Sequence, residues 1–291
     1  MFKLSDDSVL IIPEFMCPSG RVTSKKGAQL TATAGRVVDA SRLSCGVEVW
    51  NTPALKAARA EKDAVKSWLD DETAEWGGKT RLVKNNKLDK IHAKFDEGRG
   101  KMAPHVRQVK AEMAAKRDAD RFELGDLFDE SAYPTDEQLD RKFKIDFTIL
   151  NIPEVGDARA GWDTATEQRF VENVKRQHDN NVKAVLIEIA TKLHKEVAHV
   201  FDRMNTCDGT RKGRFTDTLI DKLAAKADMM EAYNITNSQE IKDIVKDIRE
   251  QLCNHTPKEL RDEPELREEK GAKARQLVSR LAKFTDEQVN A

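Results

Sequence analysis

Three stretches carry side chains whose types and spacing could do chemistry. Gly78-Lys79-Thr80 has the ending of a phosphate-binding loop, where backbone N–H groups and a lysine cradle phosphate. The full pattern needs a further glycine where Thr73 stands, and a strand ahead of it. What precedes it is an amphipathic repeat, so we read Gly78 as the left-handed cap of a helix. His194 and His199 could pair on zinc only at i and i+4, with Glu directly after the first. Their actual spacing rotates the second ring by about 500°, so the two diverge by about 140° and serve as exposed or rim histidines. Arg211-Lys212-Gly213-Arg214 is the densest basic cluster in a loop. Arg211, Lys212 and Arg214 would meet phosphate, nucleic acid or an acidic partner surface. The bland alternative, which we favour, is the solvated end of a helix connection, where cations suit the dipole.

Nothing else marks a reaction. The four cysteines, Cys17, Cys45, Cys207 and Cys253, lie far apart, which suits a reducing compartment and suggests neither a disulfide frame nor a zinc knuckle. His92, His105, His178 and His255 have no partners at metal spacing. Trp50, Trp68, Trp76 and Trp162 fall near element ends without interleaved cations, so they read as packing anchors. No metal or cofactor is expected, and we read the chain as non-enzymatic.

Composition agrees with helices that leave much of their surface wet. Charged residues make up 35% of the 291, aromatics 6%, and mean hydropathy is −0.66. Fifty basic residues against fifty-one acidic ones leave a net charge of −1, where a dedicated nucleic-acid binder more often shows a basic excess. The apolar run Val9–Ile12 is short for a signal peptide or a membrane span, so the expected site is the cytoplasm, without a membrane partner.

The elements that must position any site centre on Thr164–Met204. Phe170, Val174, Val182, Val185, Leu186, Ile189, Leu193, Val197, Val200, Phe201 and Met204 recur at the spacing of one helix face, with no Gly or Pro between. That helix would reach roughly 60 Å, which argues for an elongated protein. Phe143, Ile145, Phe147 and Ile149 alternate with polar residues and predict the clearest strand, over 143–152. Its natural partners are β-leaning pieces of residues 1–52: Val9–Ile12, Arg21–Thr23 and Val47–Trp50. Ala28–Ala40 reads either as part of that sheet or as a short helix.

Residues 53–125 read as a helical hairpin or bundle. Thr52-Pro53 opens its first helix and Gly77-Gly78 ends it; two further helices are separated by a bend at Gly98–Gly100. A connector, 126–163, holds a short helix from Asp136 and the strand. The long helix and a helical pair fill 164–256, and a charged C-terminal helix or tail fills 257–291. The fold expected is mainly α (α+β): an elongated bundle of long antiparallel helices with a small β-sheet from the N-terminal segment and 143–152.

Two patterns together carry a resemblance. The first is Arg214–Ile220 through Asn234-Ile235-Thr236-Asn237, with the Ile241–Leu252 helix behind it; the second is the strand Phe143–Ile152 followed by the long helix. From about Leu10 to Leu252 the chain resembles a phage and bacterial family known as domain of unknown function 3150. Members are encoded beside a MoxR/CobS-like AAA+ ATPase and a von Willebrand A-type (CobT-like) protein. The family has no established catalytic residues to carry over.

The resemblance implies a phage-encoded structural or adaptor protein in the bacterial host cytoplasm. It would self-assemble or bind a protein partner, with the AAA+ machine as client. The alternative is a nucleic-acid-binding protein of phage replication or host takeover. In that reading the 211–214 loop and a helix face with Lys79, Arg81, Lys84 and Lys87 would track phosphate. An enzyme with a dispersed site is a third reading, for which no nucleophile or metal set is marked.

Overall fold

The computed structural model describes residues 4–153, 163–206 and 218–290. In chain order the elements are α1 (Leu4–Asp7), β1 (Ser8–Met16), β2 (Arg21–Thr23), α2 (Lys25–Gly35), β3 (Gly46–Glu48), α3 (Pro53–Glu72), β4 (Ala74–Gly77), β5 (Thr80–Lys84), α4 (Leu88–Glu123), α5 (Asp136–Asp140), β6 (Lys144–Leu150), α6 (Thr164–Thr206), α7 (Thr218–Ala232), α8 (Gln239–Gln251), α9 (Pro257–Asp262) and α10 (Pro264–Asn290). The protein is mainly α with a small antiparallel β component. It divides into two compact units. Unit one is Met1–Ile11, Glu72–Asn85 and Ile149–Ala291; unit two is Ile12–Asp71 and Asn86–Thr148.

Unit one is organised by α6, whose apolar stripe from Val182 to Met204 is buried. Ahead of Val182 the stripe continues through Phe170 and Val174, which are half-buried. Against it pack α7 through Leu219, Leu223 and Ala227 and α10 through Leu277, Leu281 and Phe284, and α8 joins the same core on α7 and α10 through Ile241, Ile244 and Ile248. All sit at three- and four-residue steps, so each helix presents one stripe to a shared core. Ser238 caps α8 by accepting from the Ile241 amide at 3.4 Å.

Gly77 and Gly78 do not end a helix. α3 stops at Glu72, and the two glycines form the turn of a β4–β5 hairpin with φ of 116° and 61°. The loop residues are Gly78 and Lys79, and glycine at the first of them suits a type II′ hairpin turn. The helix stops early because tertiary partners take its backbone. Arg81 donates from Nε to the Thr73 hydroxyl and from Nη2 to the Thr73 carbonyl, both at 3.0 Å. Lys192 of α6 donates to the same carbonyl at 2.9 Å. Glu188 then accepts from Arg81 at 3.2 Å and pairs with Lys192 at 2.8 Å. Burial pushes the Glu188 carboxyl up, but the Glu75 amide, Lys192 and Arg81 outweigh it and hold the group below its ordinary value. Tyr233, fully buried, donates to the Leu82 carbonyl at 2.9 Å and fastens β5 to the end of α7.

Unit two is built on α3 and α4. Thr52 caps α3 by accepting from the Leu55 amide at 3.2 Å, with Pro53 in the first position. α4 runs 36 residues without the expected bend at Gly98–Gly100, and Pro104 also lies inside it. Ile91, Phe95, Gly98, Met102, Val109 and Met113 form one continuous buried face, in phase on both sides of the glycines. Gly98 is there for contact. A Cβ at that position would lie 2.4 Å from Val65 Cγ2 of α3 and 3.5 Å from Ile145 Cδ1 of β6. At Gly100 nothing lies within 4 Å.

Of the segment Ala28–Ala40, the residues through Gly35 belong to helix α2, capped by Ser24, and among the described residues β2 pairs with β3 alone, Val22 opposite Val47. Of the three N-terminal pieces expected to partner β6, β2 and β3 form a separate ladder, and only that of β1 is its neighbour. Phe15, Phe95 and Phe147 meet there with ring centroids 5.5 and 4.7 Å apart, and His92 packs at a tilt against Phe147 at 4.8 Å. At the far end of α4 the buried carboxylate of Asp120 accepts from the Trp50 amide at 3.2 Å and the Tyr133 hydroxyl at 2.6 Å, and pairs with Lys116. Of the other described indoles, Trp68 packs under Lys90 and Trp76 against His178.

Gly98→Ala should destabilise the chain by about 1–3 kcal/mol, because β-branched Val65 has little room to yield. Gly100→Ala should leave stability unchanged or raise it by about 0.5–1 kcal/mol. Paired urea denaturation curves check both; equal effects would mean that the α3–α4 approach is looser than described.

Candidate functional site

A groove of about 400 Å³ lies within unit two, between α4 and the chain from the end of α5 into β6. Arg99, Met102, Ala103, Val106, Arg107 and Lys110 line one wall. Their steps of three and one place them on one side of α4, beside its buried face. Asp140, Phe143, Lys144, Ile145 and Asp146 line the other. Met102 and Ile145 are buried, while Val106 and Phe143 are half-buried, so the floor is apolar and reachable.

The charges on the rim divide into those used by the fold and those left over. Arg99 donates to the Ile145 carbonyl at 3.0 Å, pairs with Asp96, and lies 3.7 Å from Asp146. Asp146 in turn accepts from the Phe147 amide at 2.9 Å. This stretch of β6 therefore has its backbone groups occupied by side chains, a common protection against strand addition. Lys110 pairs with Asp140 at 2.5 Å, and Lys144 pairs with Glu14, whose carboxylate raises the Lys144 amine above its ordinary value. Arg107 is exposed and has no partner among the described residues. The same holds for Arg141 and Lys142, which lie in the chain between the lining residues Asp140 and Phe143.

This arrangement can bind. Its lining has no hydroxyl, thiol or imidazole, and its two carboxylates are ion-paired. Cys17 and Cys253 lie outside it, and burial raises both thiols, that of Cys253 up to about 11, which disfavours the thiolate at neutral pH.

The residues singled out in sequence fall elsewhere. Arg211, Lys212 and Arg214 lie outside the described residues, as do Trp162 and Cys207. Lys79, Arg81, Lys84 and Lys87 do not share a helix face. Arg81 is buried against Glu188, and Lys84 on β5 pairs with Asp7 at 2.7 Å, so the fold consumes both charges. His194 and His199 border an open depression of about 610 Å³ in unit one, with Lys195, Glu196 and Asp202 of α6 and Lys222 of α7. Among the described residues no group of three or more His, Cys, Asp or Glu side chains could hold a metal ion. Among them, too, no helix is long and apolar enough to cross a membrane. The groove was missed because its two walls lie some forty residues apart in sequence. One local signal existed, the basic run Arg141-Lys142-Phe143-Lys144.

No protein-family model, curated protein or solved structure matches the chain. The fold is that of a mainly helical protein with an apolar-floored groove in unit two, and the chemistry of that groove carries the functional reading.

The division of cations is testable by stability alone. Arg99→Ala should cost about 1–3 kcal/mol by leaving the Ile145 carbonyl without its donor. Arg107→Ala should stay within about 0.5 kcal/mol of the parent. If both variants unfold at the same denaturant concentration, Arg107 is as built-in as Arg99 and the division fails.

Proposed function

We propose that this protein is a non-enzymatic adaptor that docks a protein partner on the unit-two groove. The observation that carries the reading is the pairing of a reachable apolar floor with three exposed cations, Arg107, Arg141 and Lys142, that the fold does not use. Apolar contact supplies affinity and unpaired rim charge supplies orientation and encounter rate. The resemblance to the domain of unknown function 3150 family supports an AAA+ ATPase of the MoxR/CobS type as the client. It also supports a phage origin and a place in the bacterial cytoplasm. Self-assembly is the other use that long helical faces allow.

The same three cations favour a second reading, a nucleic-acid-binding protein of phage replication or host takeover. Asp140 and Asp146 on the lining weigh against it, since a phosphate track would pass close to both.

Mass photometry should separate these readings. The chain mixed with a MoxR/CobS-like ATPase and a von Willebrand A-type protein from the same genome should give a new species at the summed mass. A chain that stays monomeric and leaves the ATPase distribution unchanged would count against the adaptor. A gel shift with single- and double-stranded DNA that weakens steeply with salt would move the assignment to the second reading.

A further inference from the structure

We infer that the groove takes an acidic segment carrying apolar side chains, so that the partner is recognised by a short stretch of alternating carboxylate and aliphatic or aromatic residues. This rests on the adaptor reading and specifies what the partner must present.

Charge decides the sign of the occupant. Of the cations along the groove, Arg99, Lys110 and Lys144 are neutralised by Asp96, Asp140 and Glu14. Asp146 lies 3.7 Å from Arg99. What remains is Arg107, which lines the α4 wall, and Arg141 with Lys142, which lie in the chain between the lining residues Asp140 and Phe143; all three are exposed and without partners among the described residues. Opposite charge on the occupant is the only way to satisfy both walls together. Discrete carboxylates fit this better than a continuous phosphate backbone, because they can be spaced to avoid Asp140 and Asp146.

The floor decides the rest. Met102, Val106 and Ile145 are aliphatic, and Phe143 is the one ring. A base-stacking surface uses a series of aromatic rings, whereas aliphatic floors suit aliphatic or single aromatic anchors. The backbone offers little to an added strand, because Arg99 occupies the Ile145 carbonyl and Asp146 the Phe147 amide. Recognition must therefore run through side chains, in the manner of a peptide laid in a groove.

The test uses the full chain and a short fluorescein-labelled peptide of alternating Glu with Leu and Phe, read by fluorescence anisotropy at low salt. A second peptide replaces Leu and Phe by Ser, a third replaces Glu by Gln, and oligo-dT is the nucleic-acid arm. Binding of the first peptide should weaken by about tenfold or more in R107E/R141E/K142E, since each lost attraction becomes a repulsion. It should weaken similarly in Val106→Asp, and stay unchanged in Lys222→Glu, which lies on the unit-one depression. The Ser and Gln peptides should each bind about tenfold more weakly or not at all. The triple variant alters only exposed, unpaired side chains and should melt with the parent, which keeps the comparison clean.

No binding of the first peptide, or equal binding to the triple variant, would overturn the inference. So would equal binding of the Ser peptide, or oligo-dT bound more tightly through the same three cations. These outcomes leave the ATPase result untouched, so failure here would be distinguishable from failure of the adaptor reading.

Discussion

The approach of α4 to Val65 at Gly98 is the constraint from which unit two follows. A Cβ there would overlap Val65 at 2.4 Å, so glycine lets α3, α4 and β6 close on one another without displacing a side chain. The next residue along the helix is Arg99, which the same approach brings to the Ile145 carbonyl. One close contact thus seals the edge of β6 and sets one end of the groove. The cost of glycine within a helix, about 1 kcal/mol, is offset by the packing it permits along an unbroken buried face.

Unit one meets a related problem with charge. Its hairpin strand β4 carries an amide at Glu75 that Glu188 accepts from, and the Thr73 carbonyl just ahead of that strand accepts from Arg81 and Lys192. Arg81 and Lys192 both reach the Thr73 carbonyl and the Glu188 carboxylate, so the network holds each of these groups through more than one bond. In both units, then, much of the basic complement is structural. A nearly even balance of fifty cations and fifty-one anions does not say which charges the fold pairs, and at the groove that pairing carries more information than the net charge.

The long helix, the strand at 143–152 and the caps at Thr52 and Ser238 were legible because each is written in local spacing or local hydrogen bonding. The hairpin at 74–84 was not. Gly77-Gly78 reads equally as a helix stop or a turn, and the choice is made by Arg81 and by residues of α6 more than a hundred positions away. The bend expected at Gly98–Gly100 fails for the same reason: glycine's local preference yields to a contact with α3. A signal was present all the same, since Ile91, Phe95, Met102, Val106 and Val109 keep helical phase across the glycines. The groove could not be read, because its meaning lies in which cations find partners, and ion pairing between Lys110 and Asp140 or Lys144 and Glu14 leaves no mark on spacing.

The most direct measurement is hydrogen exchange of the full chain with and without the Glu/Leu/Phe peptide. Occupation of the groove predicts slower exchange confined to amides of Arg99–Lys110 and 140–146, with α8 and α10 unaltered. Slowing elsewhere while those two stretches exchange as before would contradict it, and would place the binding surface outside unit two's groove.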